Sequence, residues 1–253
     1  MKIIISPAKQ MKSNEDTYFP LTSPLYLEKA KKLVGHLSKL SYQQLKTVLN
    51  CSDSLAKKAF ENYQTIDFDH NPSMAILSYN GIQYQYMAPS VFTDEEFAYI
   101  QDHLFILSGL YGILRPFDGI VSYRLEMQAK CPLSLYEYLK VKTDFCRSLY
   151  DFWGDDLYRE LTKEDSLILN LASEEYAKCI RKYKKLIDVR FCQRVQGKLK
   201  EKGVYAKMAR GDMVRYLAQN QIETIDQVKT FNYQNYVFSP EDSTDSLLTF
   251  IQE

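Results

Sequence analysis

The 253-residue chain lacks long apolar runs and the usual cysteine and histidine patterns. No apolar run approaches the roughly 18 residues of a transmembrane helix. The apolar stretch after Met1 and Lys2 is three isoleucines, too short for the core of a secretory signal. The three histidines lack ligand spacing, and the five cysteines are odd in number with no C-x-x-C pair. The sequence therefore predicts a cytoplasmic protein with reduced thiols, no membrane association, no metal and no cofactor. The cysteines are Cys51, Cys131, Cys146, Cys179 and Cys192.

Net charge is also absent, because 32 basic residues balance 32 acidic ones. Bulk electrostatics therefore indicate nothing about partners, and only local asymmetry is informative. Between Lys178 and Arg210 there are twelve basic residues and only Asp188 and Glu201 as acids, a local charge of +10. Such a segment suits a phosphate backbone, although a solvated surface hairpin would have the same composition. The predicted contacts to the DNA backbone are Lys182, Lys184, Lys185, Arg194, Lys198 and Lys200.

Short strands and helices mix irregularly along the chain, without repeats or a regular βαβ alternation. This favours an α+β fold over a doubly wound one: a single compact domain, residues 1–253, with a mixed irregular sheet surrounded by helices and a central basic cleft. The predicted strands are 2–5, 74–78, 105–107, 166–169, 186–191, 203–205, 236–238 and 247–251. The predicted helices are 25–37, 41–49, 53–63, 93–103, 142–161 and 207–220. Capping boxes are predicted for Ser41 with Gln44 and for Thr93 with Glu96, and Thr224 with Gln227 is predicted to cap one more helix.

Three polar loops each follow a short apolar segment: residues 6–9, 108–127 and 170–176. Binding sites commonly form where strand ends meet loops, so we expect these loops to converge on one cleft. Arginine is a planar donor suited to phosphate, and a nearby glutamate can orient it or act as a base. The alternative is a buried Arg–Glu network that only pins a long loop. The predicted cleft and phosphate-binding residues are Ser6, Lys9, Arg115, Arg124, Asn170, Ser173, Lys207 and Arg210. The catalytic candidates are Lys9, Arg124, Glu126, Glu174 and Lys207.

The polar segments also resemble those of the YaaA family of peroxide stress proteins. The matching motifs are ISPAK at 5–9, SGLYG-x-LRP-x-D at 108–118, YRLEM at 123–127, FWGD at 152–155, NLAS-x-EY at 170–176 and AK-x-ARG at 206–211. The resemblance implies a cytoplasmic protein that helps bacteria withstand hydrogen peroxide by limiting free intracellular iron. It also implies one compact α+β domain with a positively charged cleft, and DNA binding that includes a helix-hairpin-helix element.

That element falls at residues 41–63, where Ser41 and Asp53 are the predicted helix caps. Its connection, 50–53, contains no glycine, unlike the usual hairpin whose backbone N–H groups meet a phosphate. Ser52 or the helix amino terminus could still offer N–H donors.

Three hypotheses follow for a chain predicted to be monomeric. The first is a DNA-binding protein of the peroxide response, largely independent of base sequence. The second is an enzyme that acts on a nucleobase or a nucleic-acid end in the polar cleft. The third, direct iron sequestration, is disfavoured because the chain has no Glu-x-x-His pair of the kind found in carboxylate-rich iron sites.

Overall fold

The isoleucine run at the amino terminus lies in the middle of the sheet in the computed structural model, which describes residues 1–12, 19–129, 148–163 and 167–252. Strand β1, Lys2–Ile5, lies parallel to Leu104–Ser108 on one side and to Ile168–Leu171 on the other. Ile3, Ile4 and Ile5 are fully buried. A parallel strand that is covered on both faces is expected to be continuously apolar, and this one is.

The described residues form twelve short strands. They are β1 Lys2–Ile5, β2 Gln10–Met11, β3 Ser73–Met74, β4 Tyr79–Asn80, β5 Leu104–Ser108, β6 Gly112–Leu114, β7 Gly119–Ile120, β8 Ile168–Leu171, β9 Ile187–Val195, β10 Lys198–Lys200, β11 Tyr236–Phe238 and β12 Leu247–Gln252. The main sheet has the order β11-β12-β9-β8-β1-β5-β6, with β10 paired to β9. Its inner strands are parallel and its edge strands β11 and β6 are antiparallel, so the sheet is mixed and the predicted α+β class is confirmed.

The helices pack around this sheet. They are α1 Leu27–Leu37, α2 Tyr42–Leu49, α3 Asp53–Thr65, α4 Ala75–Ser78, α5 Ile82–Met87, α6 Asp94–His103, α7 Leu149–Trp153, α8 Asp156–Leu161, α9 Glu174–Arg181, α10 Gly203–Gln219 and α11 Ile225–Val228, with short 3₁₀ turns at Pro89–Val91 and Tyr233–Asn235. The capping boxes predicted at Ser41, Thr93 and Thr224 are all present, each with its partner three residues on. These capping boxes can be predicted from the sequence because both of their hydrogen bonds form within one helical turn.

A gap forms at the carboxyl ends of β1 and β8, because the chain leaves these two neighbouring strands in opposite directions. After β1 the chain returns to the sheet in β5, on one side of β1, whereas after β8 it returns in β9, on the other side. The loops that follow β1 and β8 therefore diverge at the carboxyl ends of two adjacent parallel strands. Open α/β sheets bind ligands in such a crevice.

Several predicted elements are wrong. Residues 75–78 are helical and not part of a strand; the strand there is Ser73–Met74. The predicted long helix is interrupted at Gly154, whose φ of +51° ends α7, and its portion before residue 148 lies outside the described residues. The segment predicted as a strand at 203–205 begins helix α10, because the return strand of the hairpin is Lys198–Lys200.

Asp53 is not the cap of α3. Ser52 occupies that position, without a side-chain cap hydrogen bond, and Asp53 is the first helical residue. Its carboxylate accepts hydrogen bonds from the Tyr42 hydroxyl at 2.8 Å and from Lys46 Nζ at 2.7 Å. These two donors lower the pKa of Asp53 and tie the amino-terminal turn of α3 to α2.

Candidate functional site

A cavity of about 580 Å³ opens at the carboxyl ends of β1 and β8, in the gap defined above. Its walls come from the loops after these two strands, from the first turn of α9, and from helices α5 and α10. The polar residues that line it are Ser6, Lys9, Gln10, Asn80, Gln83, Gln85, Ser173, Glu175, Lys207 and Arg210.

Ser6 and Ser173 join the two diverging loops at the base of the cavity. The backbone N–H of Ser173 donates to Ser6 Oγ at 2.8 Å, and Ser6 Oγ donates to Ser173 Oγ at 3.1 Å. The Tyr84 hydroxyl of α5 donates to the Ser6 carbonyl at 3.0 Å. The loop after β1 is thus held from two directions, which fixes the start of the side chain of Lys9.

Lys9, Arg124 and Glu126 meet at one carboxylate oxygen. Arg124 Nη2 lies 2.8 Å from Glu126 Oε1, and Lys9 Nζ lies 3.5 Å from the same oxygen. The side chains of Arg124 and Glu126 are 15% and 10% exposed, whereas that of Lys9 is 64% exposed. Lys9 is therefore the charged residue of this cluster that lines the cavity.

Residues 123–127 reach this position because they pack directly on Gly109. A Cβ atom at Gly109 would lie 2.3 Å from the Leu125 carbonyl oxygen, so only glycine admits this contact. The Tyr63 hydroxyl donates to the Arg124 carbonyl at 2.8 Å and holds the segment from the other side.

Glu175, which was not among the predicted residues, is the acid that lines the cavity. The Gln128 N–H donates to its Oε1 at 3.3 Å. Burial is the largest cause of its raised pKa; Lys9 opposes the rise and Glu126 adds to it. Glu174, the predicted catalytic candidate, is 68% exposed and pairs with Arg181 at 3.1 Å. The helical periodicity of α9 distinguishes the exposed Glu174 from the cavity-lining Glu175. Glu174 shares the polar face of α9 with Lys178 and Arg181, whereas Glu175 borders the buried Cys179.

Lys207 and Arg210 bring positive charge to the cavity from α10. Gly211 lets this helix cross close to α5, since a Cβ atom there would lie 2.2 Å from the Gln83 carbonyl oxygen. Arg210 Nη2 pairs with Glu201 Oε1 at 3.2 Å, and burial lowers the pKa of Arg210. Lys207 is exposed.

Three of the predicted cleft residues, Arg115, Arg124 and Asn170, do not line the cavity; Arg124 pairs with the catalytic candidate Glu126, which does not line it either. Asn170 is buried beneath it: its Nδ2 donates to Asp188 at 2.8 Å and its Oδ1 accepts from the Ala172 N–H at 2.9 Å, which shapes the loop before Ser173. Arg115 lies elsewhere, with its Nε 3.0 Å from the Gln101 carbonyl and its guanidinium over the Phe105 ring. Its guanidinium donates to the Gln101 carbonyl and lies over the Phe105 ring, so we do not assign Arg115 to the cleft.

The basic segment divides into two groups at opposite ends of β9. Lys185 lies two residues before this strand, whereas Lys198 and Lys200 pair with its last three residues. At about 3.3 Å per residue, roughly 20–25 Å separates the groups along the strand. The hairpin group is Arg194, Lys198 and Lys200, which extends beyond the carboxyl ends of β8 and β1; the distal group is Lys182, Lys184 and Lys185.

Two buried tyrosines, Tyr79 and Tyr123, form a hydrogen-bonded cluster with Ser108 next to the segment that carries Arg124 and Glu126. The hydroxyls of Tyr79 and Tyr123 lie 2.8 Å apart, and Ser108 Oγ lies 2.7 Å from the Tyr123 hydroxyl. Burial raises the pKa of Tyr123 to about 12, against the two hydrogen bonds. These hydroxyls thus remain protonated donors around neutral pH and act as structural groups.

Residues 1–12, 19–129, 148–163 and 167–252 contain no grouping of three or more His, Cys, Asp or Glu side chains suited to a metal ion. Over the same residues, every helix is too short or too polar to cross a bilayer. Cys51, Cys179 and Cys192 are free thiols, and burial raises the pKa of Cys179 to about 12. Cys131 and Cys146 lie outside the described residues.

Sequence comparison with known proteins identifies the family of this chain. Residues 1–242 match the family model described as peroxide stress protein YaaA. A UPF0246 protein of Desulfitobacterium hafniense is 51% identical over 100% of this chain and 98% of its own length. UPF0246 proteins of Lactiplantibacillus plantarum and Agathobacter rectalis are 47% and 43% identical, over 100% and 99% of this chain and 100% and 98% of their own lengths. The chain therefore belongs to the YaaA family of peroxide stress proteins.

Proposed function

We propose that this protein binds DNA in the peroxide response, through a basic rim at the carboxyl edge of the sheet. The rim consists of Lys9, Arg194, Lys198, Lys200 and Lys207. The observation that carries the proposal is the position of the β9–β10 hairpin, whose exposed lysines project past the cavity that Lys9 and Lys207 line. The Glu201–Arg210 ion pair joins the base of this hairpin to the cavity wall.

The chemistry of the rim suits the phosphate backbone more than the base edges. Lys9, Lys198, Lys200 and Lys207 are exposed point charges on flexible stems, which neutralise phosphates without reading sequence. Two rim residues also contact an acid: Arg194 pairs with Asp242 at 3.4 Å, and Lys9 pairs with Glu126 at 3.5 Å. We therefore propose binding that is largely independent of base sequence.

The proposed cellular setting follows the family. It is the cytoplasm, where DNA binding would accompany the limitation of free iron and of oxidative DNA damage that the resemblance implies. The helix pair α2–α3 is proposed as a second DNA contact on the resemblance alone, with the chain as a monomer.

A second candidate function is catalysis on a nucleobase or a nucleic-acid end. It is favoured by the carboxylates beside Lys9: Glu126 is nine-tenths buried, and burial raises the pKa of Glu175. A general acid or base needs a carboxyl group that can hold a proton near the pH at which it works.

The experiment that tests DNA binding is a fluorescence titration of two unrelated labelled duplexes at several salt concentrations. We expect both duplexes to bind with similar affinity, and log K to fall linearly with log salt at a slope of about −0.9 for each neutralised phosphate. Absence of binding at low salt would overturn the proposal. Strong preference for one duplex would replace the backbone binder by a sequence reader.

A further inference from the structure

We infer that the cavity at the carboxyl ends of β1 and β8 is a lyase site for abasic DNA, in which the Lys9 amine forms an imine with the sugar aldehyde and Glu175 accepts the proton that leaves the sugar. The inference goes beyond catalysis on a nucleobase or a strand end, because the reacting group is a sugar, and it rests on the proposed binding of DNA by the rim. Three observations carry it: an exposed amine in the cavity, two acids beside that amine, and further positive charge among the residues that line the cavity.

Lys9 supplies the amine. Its side chain is 64% exposed and lines the cavity, and the loop that carries it is held by the hydrogen bonds between Ser6 and Ser173. Of the two lysines that line the cavity, Lys9 is the one that pairs with an acid in the described part of the chain. A lysine amine acts as a covalent catalyst by adding to a carbonyl carbon, and a neighbouring acid–base group is needed to move its proton.

The two acids beside Lys9 have different surroundings. Lys9 Nζ lies 3.5 Å from Glu126 Oε1, but Arg124 Nη2 lies 2.8 Å from the same oxygen, so one carboxylate faces two cations. Glu175 is the acid that lines the cavity, and the charge of Lys9 acts on it. Burial raises the pKa of Glu175, so its carboxylate is a stronger base than that of an exposed glutamate. The cavity thus contains an amine and, near it, a carboxylate that can take up a proton.

The reaction that this pair supports is an elimination. The Lys9 amine adds to the C1′ aldehyde of the ring-opened deoxyribose, and the aldehyde oxygen leaves as water to give a protonated imine. Glu175 takes a proton from C2′, and the electron pair of that C–H bond moves toward the imine nitrogen. The C3′–O bond then breaks, the 3′ phosphate leaves with the bonding pair, and a double bond forms between C2′ and C3′. Water adds to C1′ and releases the Lys9 amine, so no oxidant or reductant is consumed.

The other charges of the cavity favour an abasic deoxyribose over a simple aldehyde. Lys207 and Arg210 also line the cavity, and the exposed Lys198 and Lys200 lie on the neighbouring hairpin. An aldehyde flanked by phosphates would offset these charges, because lysine and arginine both bind phosphate. Loss of the base removes the pairing and stacking that hold a nucleotide in the duplex, so this sugar is turned out at a lower cost. The volume of about 580 Å³ is within the usual range of roughly 300–1,000 Å³ for small-ligand sites.

The test is reductive trapping with the full chain and a labelled duplex that contains one abasic site. Sodium borohydride reduces the imine to a stable amine, and mass spectrometry of the digested adduct locates the modified lysine. We expect the adduct on Lys9 and, without borohydride, strand cleavage on the 3′ side of the abasic site. Lys9→Arg keeps the positive charge but removes the amine, so the yield of adduct should fall about tenfold or more. The matched Lys32→Arg, at an exposed position of α1 that does not line the cavity, should react like the parent.

Glu175→Gln separates the two steps of the reaction. This variant should still form the adduct on Lys9, whereas strand cleavage should slow by about 10²-fold or more, because the base for the C2′ proton is missing. Cleavage at the parent rate would overturn the role of Glu175.

The remaining outcomes distinguish this inference from the proposed DNA binding. An adduct on Lys207, or one spread over the rim lysines, would overturn the assignment of Lys9. Absence of an adduct in a chain that binds the intact duplex in the salt titration would overturn the inference and leave the DNA binding standing. Absence of both the adduct and duplex binding would overturn both.

Discussion

Arg124 and Glu126 form a buried ion pair two residues apart in an irregular segment, with Nη2 2.8 Å from Oε1. Both the structural and the functional interpretation of these residues begin from this contact. The pair pins the segment that packs on Gly109, and the same carboxylate faces Lys9 at the cavity. One interaction therefore fixes the loop and presents its charge to the site.

Removing either member of this pair should destabilise the protein. Glu126→Gln leaves the guanidinium of Arg124 buried without its counter-ion, and the free energy of unfolding should fall by about 3–5 kcal/mol. Urea denaturation followed by circular dichroism measures the change. The double variant Arg124→Met/Glu126→Leu should lose less than the two single losses combined, because neither charge remains unpaired. A stability unchanged in Glu126→Gln would show that the pair is not structural.

The close crossing of α10 and α5 should be equally sensitive to a single methyl group. Gly211→Ala places a Cβ atom 2.2 Å from the Gln83 carbonyl oxygen, so the helices must separate at a cost of about 1–3 kcal/mol. Because α10 carries Lys207 of the proposed rim, DNA affinity should fall as well. Gly35→Ala is the matched control: it lies within α1 with nothing within 4 Å, and should stabilise by about 0.5–1 kcal/mol. Thermal unfolding of the two variants should shift in opposite directions.

The sequence predicts well those parts of the fold that are determined within a few residues. The capping boxes at Ser41, Thr93 and Thr224 and the buried strand at 2–5 are examples. Residues 74–78 show the limit, because a buried apolar run fits a helical turn as well as a strand, and its pairing with Gly119–Ile120 decides the outcome. The parallel order of the inner strands depends on which strands pair, and this long-range choice leaves no local signal.

The site divides in the same way. Motifs that follow strands place Ser6, Lys9 and Ser173 at the cavity, because strand ends are local features, and the motif on helix α10 adds Lys207. The exchange of Glu174 for Glu175 depends on the rotation of α9 against the sheet, and the position of Arg115 depends on Gln101 and Phe105. Counting charges could not show that the basic residues form two groups at opposite ends of β9, because a count contains no information on the length of the strand between them.

Buried Asp118 should make stability depend on pH in the acid range. Its oxygens accept from Thr22 Oγ1 at 2.7 Å and from the Arg115 N–H at 2.8 Å, but burial dominates and raises its pKa to about 6. Since the folded state binds this proton more tightly than the unfolded state, the contribution of Asp118 to the free energy of unfolding should be most favourable below pH 4. It should fall by about 3 kcal/mol as the pH rises to 6, where the carboxylate ionises.

Asp118→Asn should remove this part of the pH dependence. Asp212, whose pKa burial also raises to about 6, contributes a slope of the same sign, so Asp212→Asn is the companion variant and the double variant should lose both contributions. Urea midpoints measured between pH 4 and 7 give the slopes. A slope in Asp118→Asn equal to that of the parent would mean that this carboxyl group is ionised throughout the range.

The division of the basic segment gives the sharpest test of DNA binding, because it offers two pairs of exposed lysines that differ mainly in position. Lys198 and Lys200 lie on the hairpin at the rim, and Lys182 and Lys185 lie beyond the other end of β9. If the rim binds the phosphate backbone, Lys198→Gln/Lys200→Gln should remove up to two phosphate contacts and flatten the log–log salt slope by about 1.8. Lys182→Gln/Lys185→Gln removes the same charge from the chain and should leave the slope close to that of the parent. Equal flattening by both pairs would show that DNA responds to net charge alone, and a larger effect of the distal pair would move the interface to the opposite edge of the sheet.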